Sequence, residues 1–360
     1  MKIKVFILTE DKEYAEKLFK YLGQQYRDQV ELVIFTQADK MVLEARKMRP
    51  DLVLLGEEFW EEEIQLPPNS ELVFLSERAE IETIQGKRAI GKYQKISAIY
   101  KELLDICAEK KSVGSITLKK GGKESQKILS FYSCAGGTGT STAAAACARR
   151  LAEQGGSVLY LNLESFGTAD VYFSGDGDFD FSRVIYALAM SNGTTLMKME
   201  SSVKKDPSGV FFYSGCANAL DMLELDQEVL DSLFEEIESL TQFEWIVVDM
   251  DFALEEKGYR QLERSHANIF VSDGRETANT KLERCLNAIE ILAAQRKTLP
   301  LSRMYILYNR FSGKGSEKLK GLGFQEIGGI NRFENATAKE LVQLIAQNSV
   351  FDGITNKIGW

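Results

Sequence analysis

Between Phe131 and Ala152 the chain reads FYSCAGGTGTSTAAAACARRLA: an apolar strand, a glycine-rich turn and an alanine-rich helix. A strand that runs directly into a helix continues by crossing over to a parallel neighbour, so this stretch commits its surroundings to an α/β sheet with helices on the faces. Ala143 to Ala146 keep the helix slim enough to pack tightly beneath such a sheet. The turn nearly matches G-x-x-x-x-G-K-[ST], in which backbone N–H groups cradle phosphate, the lysine reaches the β- and γ-phosphates and the hydroxyl meets Mg²⁺. Gly136, Gly137, Thr138 and Gly139 retain the backbone cradle, but the lysine position is Thr140, followed by Ser141 and Thr142. A phosphate nest without its strongest side-chain cation predicts a chain that binds nucleotide and hydrolyses it poorly. The alternative reading of the same glycines is an ordinary turn between strand and helix.

Apolar runs at 4–8, 30–35, 51–55 and 71–75 are short and rich in β-branched or aromatic residues, as buried parallel strands are. Amphipathic stretches lie between them, from Tyr14 to Leu22 and from Ala38 to Met48, and a last helix runs from Ile96 to Glu109. This repeated β-α order predicts a small doubly wound domain over 1–112. Residues 113–126 turn polar and glycine-bearing, as an interdomain linker does. From 127 to 360 a second α/β domain is expected. Its strands are read at 127–133, 157–163, 209–215, 243–250, 268–272 and 304–309. Its helices are read at 142–153, 227–239 and 278–294, giving a mostly parallel sheet.

A formal charge of -9 disfavours a nucleic-acid surface. Five scattered cysteines without a CxxC read as reduced cytoplasmic thiols. The one histidine, His266, rules against a histidine triad or metal site and is placed at a helix–strand junction. No apolar run is long enough to span a membrane, and no N-terminal signal pattern is present. The last residues, NSVFDGITNKIGW, are glycine-broken and nearly neutral, so they are expected to pack on the domain rather than form a membrane-binding helix.

Three strand ends carry candidate chemistry. Asp249 closes WIVVD, where an acid would hold the Mg²⁺ shell or cap a turn. Glu164 closes VLYLNLE on the edge where open α/β sheets bind ligands. Asn309 closes MYILYN, and its amide suits the edge of adenine or a strand cap. Ser141, Asp249 and Glu164 form the candidate metal set. Gly136 to Thr142 and Asn309 form the candidate nucleotide set. A dinucleotide-binding turn using Gly137, Gly139 and Glu164 is a competing reading; against it, the third glycine position is Thr142.

Together these residues resemble the deviant-Walker ATPases of the MinD/ParA group. Their Lys-Gly-Gly-x-Gly-Lys-[Ser/Thr]-Thr loop aligns with Ala135 to Thr142, with the strand-end acids at Glu164 and Asp249 and an adenine-side Asn at Asn309. The first domain resembles a response-regulator receiver without its phosphate acceptor. Thr9 and Glu10 stand in the place of the acidic pair, Gly56 in that of the acceptor aspartate, and Ser76 and Lys92 in those of the hydroxyl and lysine. Glu57 and Glu58 follow Gly56 but are expected to leave the strand end. The two degenerate domains in this order resemble the TadZ/CpaE family of pilus-assembly proteins.

That resemblance implies an ATP- and Mg²⁺-binding, cytoplasmic and polar positioning factor for a Tad (Flp-type) pilus or secretion machinery, acting as a homodimer. The alternative is a working MinD/ParA-like ATPase. Three departures weaken catalysis: Ala135 replaces the lysine that crosses a nucleotide-sandwich dimer, Thr140 replaces the P-loop lysine, and Asp249-Met250-Asp251 replaces Asp-x-Pro. Losing one charge-assisted contact costs ~1.5–3 kcal/mol, roughly ten- to a hundred-fold in affinity, which binding survives more easily than transition-state stabilisation does.

Overall fold

In the computed structural model the described residues are all except 1, 28, 61–63, 79–80, 82, 111–125, 191–193, 241, 297, 321–322 and 358–360. The expected linker therefore lies almost wholly outside them. The chain divides into two units, Met1–Lys119 with Ser191–Ser201, and Lys120–Met190 with Ser202–Trp360.

The first unit carries β1 (Ile3–Leu8), α1 (Lys12–Gln25), β2 (Val30–Phe35), α2 (Ala38–Met48), β3 (Leu52–Leu55), β4 (Glu71–Ser76), β5 (Thr83–Ile84), β6 (Lys87–Gly91) and α3 (Ile96–Lys110). Its sheet order is β2-β1-β3-β4-β6-β5, parallel except for the short β5–β6 hairpin, which is the doubly wound flavodoxin-like arrangement. Side chains alternate between its faces. Val5, Ile7, Leu52, Leu54, Val73 and Leu75 pack on one side with Leu18 and Leu103. Phe6, Leu8, Val53, Leu55 and Phe74 pack on the other with Met41 and Ala45. Burial on both faces is why these strands read as continuous apolar runs.

The second unit follows as β7 (Lys127–Tyr132), α4 (Thr140–Glu153), β8 (Val158–Asn162), α5 (Ala169–Tyr172) and α6 (Phe181–Met190). After α7 (Thr195–Ser202) come β9 (Lys204–Lys205), β10 (Phe211–Phe212), α8 (Gln227–Ser239), β11 (Trp245–Asp249), α9 (Glu256–Arg264), β12 (Ala267–Ser272) and α10 (Glu276–Gln295). β13 (Met304–Phe311), β14 (Gln325–Asn331), α11 (Ala338–Ala346) and α12 (Val350–Lys357) close the chain. The sheet runs β14-β13-β12-β7-β11-β8-β10-β9, parallel but for the β9–β10 pair. Ala143 to Ala146 are fully buried against it, and His266 sits between α9 and β12. The end of the chain differs from the glycine-broken reading: α12 passes through Gly353, with Phe351 and Ile354 in the core and Asp352 paired to Arg150 at 3.1 Å. Core contacts on one face outweigh the modest helix cost of a glycine.

α7 departs from the surrounding order, because through Ser201 it belongs to the first unit. Met197 enters that unit's core. Lys198 Nζ lies 2.8 Å from Asp105 of α3, which also takes Arg88 at 3.1 Å. The Glu200 carboxylate accepts from the Tyr100 hydroxyl at 2.9 Å and the Gln29 amide at 2.8 Å, while burial holds its pKa above the usual range.

Candidate functional site

The sequence places β7, β8, β11 and β13 in one parallel sheet, so their carboxyl ends open on one edge. After β7 the chain turns through Gly137 (φ 79°) and Gly139 (φ 80°), both in the left-handed region, and Gly139 caps α4. Buried Thr138 steadies the turn: its hydroxyl lies 2.9 Å from Ser133 Oγ and 3.0 Å from Thr140 Oγ1. Thr142, one of the candidate nest residues, is buried in the first turn of α4 and contacts the Tyr172 hydroxyl.

On one side of this loop stands an acidic group. Ser141 Oγ donates to Glu164 Oε1 at 3.0 Å. Asn162 Nδ2 donates to Glu164 Oε2 at 2.9 Å and to Asp249 Oδ2 at 3.0 Å, and the Tyr160 hydroxyl donates to Asp249 at 2.8 Å. Asp249 is buried; desolvation, then the Glu164 charge, push its pKa up to about 8. Asp251 turns instead to Ser165, accepting from its amide at 2.9 Å and its hydroxyl at 2.8 Å. Among the described residues no group of three or more His, Cys, Asp or Glu is placed to hold a metal. Ser141, Glu164 and Asp249 offer two carboxylates and a hydroxyl, a set that suits Mg²⁺ sharing its remaining positions with phosphate and water.

On the other side the edge pairing of β13 with β14 is interrupted: Tyr308 pairs with Gly329 and Phe311 with Asn331, so Asn309 and Arg310 bulge out. Asn309 Nδ2 donates to the carbonyls of Thr138 (2.9 Å) and Gly139 (3.1 Å), and Arg310 Nη1 donates to the carbonyl of Gly137 (2.8 Å). Asn309 Oδ1 is buried and has no partner. An orphaned acceptor costs about 1–3 kcal/mol unless something donates to it, and the exocyclic amine of adenine is such a donor. Asn162, Tyr160 and Arg310 are absent from the sequence-derived set. Arg310 had one signal, its position directly after a strand-end Asn.

In the first unit Thr9, Glu10, Gly56, Ser76 and Lys92 converge on the carboxyl edge of the sheet, with Thr9, Ser76 and Lys92 buried. Glu58 does not leave the strand end as expected. A short 3-10 turn, Glu57–Phe59, brings it back. Its Oε1 accepts from Thr9 Oγ1 at 2.6 Å and the Glu10 amide at 2.5 Å, and its carboxylate fills the space a Cβ on Gly56 would take, 2.5–2.7 Å away. Burial opposes its charge, but these hydrogen bonds and the Lys92 charge outweigh it and leave its pKa below the usual value. Glu57 Oε1 accepts from the Glu77 amide at 2.8 Å and lies 3.4 Å from Ser76 Oγ.

Residues 1–108 match the family model of the TadZ-like receiver domain. Among solved structures, a ParA family ATPase from Chlorobium tepidum TLS is similar at 19% identity and TM-score 0.52, covering 66% of this chain and 98% of that one. The cell division ATPase MinD of Pyrococcus furiosus is similar at 17% identity and TM-score 0.45, covering 64% and 99%. The septum site-determining MinD of Pyrococcus horikoshii, complexed with Mg-ADP, is similar at 18% and 0.46, covering 65% and 93%. No curated protein matches the chain by sequence. The chain therefore joins a TadZ-like receiver domain to an α/β unit with the fold of ParA-type P-loop ATPases. No helix among the described residues is long and apolar enough to cross a membrane.

Proposed function

We propose that the second unit binds ATP with Mg²⁺ and turns it over very slowly, so that nucleotide acts as a structural ligand of a positioning factor for a Tad (Flp-type) pilus or secretion machinery. The observation that carries the nucleotide reading is the glycine turn held between two complementary groups. One is the hydroxyl–carboxylate set of Ser141, Glu164 and Asp249; the other is the orphaned acceptor of Asn309. In this reading the amides of Gly136 to Thr142 receive the phosphates, Ser141, Asp249 and Glu164 hold the metal shell, and Asn309 Oδ1 accepts from the adenine amine. Mg²⁺, when bound, neutralises phosphate charge.

Slow turnover follows from what surrounds the phosphates. Positions 135 and 140 carry no cation, and Asp251 adds a carboxylate beside the metal-side acids. Charge developing on transferring phosphoryl oxygens is left without the cation that would answer it. The TadZ-like receiver domain supports the pilus assignment. We place the protein in the cytoplasm, at a pole, as a homodimer that forms mainly through apolar surface and persists without ATP. Calorimetry with Mg-ATP and a turnover assay free of contaminating ATPases test the reading: micromolar-range binding with negligible turnover is expected. Absence of ATP binding would overturn it, and a rate typical of active members of the group would overturn its pseudo-enzyme half.

A further inference from the structure

Resting on that nucleotide reading, we propose that Arg310 is the positioning residue of the phosphate nest: with Asn309 it fixes the peptide orientations of the loop, and its charge behind the loop strengthens ground-state binding without the direct phosphate contact of the missing lysines. Three consecutive carbonyls, those of Gly137, Thr138 and Gly139, are held by Arg310 Nη1 and Asn309 Nδ2. In a trans peptide the C=O and the following N–H point in opposite directions. Pinning these carbonyls therefore turns the amides of Thr138, Gly139 and Thr140 the other way, as a converging run of donors. Three successive N–H groups on one side of a turn make an anion nest.

Glycine makes the clamp necessary. Gly137 and Gly139 sit at φ 79° and 80°, where glycine moves freely between conformations, so a peptide between them flips at little cost unless something holds it. A flipped Gly137–Thr138 peptide would present a carbonyl to phosphate in place of a donor. Arg310 itself is a non-glycine residue at φ 55°, a conformation forced by the bulge in β13. That backbone carries its guanidinium over the loop, with Nε 3.2 Å from where a Cβ on Gly139 would stand. No carboxylate of the described residues pairs with Arg310. Its charge is therefore directed into the Gly137 peptide, polarising the donors that face the ligand.

The test is Arg310→Ala in the full chain, with Mg-ATP and inorganic tripolyphosphate as probes in calorimetry and the melting temperature as a control. ATP and tripolyphosphate affinity should fall roughly ten-fold or more, with the melting temperature lowered by no more than the roughly 2–4 °C that one lost hydrogen bond accounts for. Arg310→Lys should keep part of the affinity, and adding Thr140→Lys to Arg310→Ala should restore it, because a cation returns to the phosphates by another route. Wild-type protein that binds ATP while Arg310→Ala binds it equally well overturns this inference and leaves the nucleotide site standing. A loss that tracks a larger fall in melting temperature and is not rescued at position 140 overturns it as well. Wild-type protein that binds no ATP overturns the nucleotide site itself.

Discussion

The three glycines of the loop should respond to alanine in a steep order, because the structure surrounds each differently. Gly136 has a backbone any residue adopts and nothing within 4 Å of its would-be Cβ, so Gly136→Ala should change stability by less than about 0.5 kcal/mol. Gly137 also has open space but sits at φ 79°, so Gly137→Ala adds the left-handed strain alone, about 1–2 kcal/mol. Gly139 combines φ 80° with a Cβ that would collide with Asn309 Nδ2 and approach Arg310 Nε at 3.2 Å. Asn309 is 1% exposed and cannot swing clear, so its bonds to the Thr138 and Gly139 carbonyls break. At about 1 kcal/mol each, added to the strain, the loss is about 3–4 kcal/mol. For a unit of this size that lowers the melting temperature by roughly 6–16 °C. Calorimetric melting of the three variants beside wild type gives the order. Equal losses at 136 and 139, or none at 139, would refute the described geometry of the clamp.

Asp249 titrates in the folded chain at about 8 and near 4 when unfolded. The folded state thus binds the extra proton between those values, and stability should fall as pH rises through that window. Asp249→Asn removes the effect, so its advantage over wild type in denaturation midpoint should grow from pH 4 to 8; a constant gap would contradict the burial argument. Glu58 has the opposite sign: its lowered pKa contributes stability above the usual carboxylate range that disappears as pH falls through the folded value. Glu58→Ala should cost on the order of 1 kcal/mol at pH 7, discounted for exposure, with the difference closing as pH falls below the usual carboxylate range in paired urea titrations. Lys198→Met should destabilise the first unit by up to about 3 kcal/mol, because Asp105 is 1% exposed and loses a cation 2.8 Å from its carboxylate. Hydrogen exchange at α3 reports it, and unchanged protection there would speak against the pairing.

Much of the fold was legible because both sheets bury their strands on two faces. LVLL and WIVVD, buried along their whole length, needed no partner to be read as strands. What escaped lies at sheet edges or in a helix whose core residues are few among charges. β14, QEIGGIN, is largely exposed and has two glycines, so it carries no apolar run. The strand read at 209–215 shrinks to Phe211–Phe212, since its outer neighbour is the two-residue β9. α9, EKGYRQLER, hides a buried Tyr259 and Leu262 among charges. In the candidate site, the glycines, Ser141, Glu164, Asp249 and Asn309 followed from local motif and strand-end position. The folded-back Glu58 carboxylate and the Arg310 guanidinium did not, because each depends on one non-local geometry, a short helical turn or a bulge, that no periodicity encodes.

The assignment of 191–201 to the first unit has a consequence for synthesis on the ribosome. Residues 1–119 leave the exit tunnel well before Met197, Lys198 and Glu200 exist, yet those side chains complete the unit's core and its buried ion pair. At ~5–20 residues per second, the roughly eighty intervening residues take about 4–16 s to appear. Through that interval the nascent first unit holds Asp105 without Lys198 and a gap where Met197 belongs, while the glycine turn and β8 are still being made. The first unit therefore cannot finish folding until the opening strands and helices of the second have also been made.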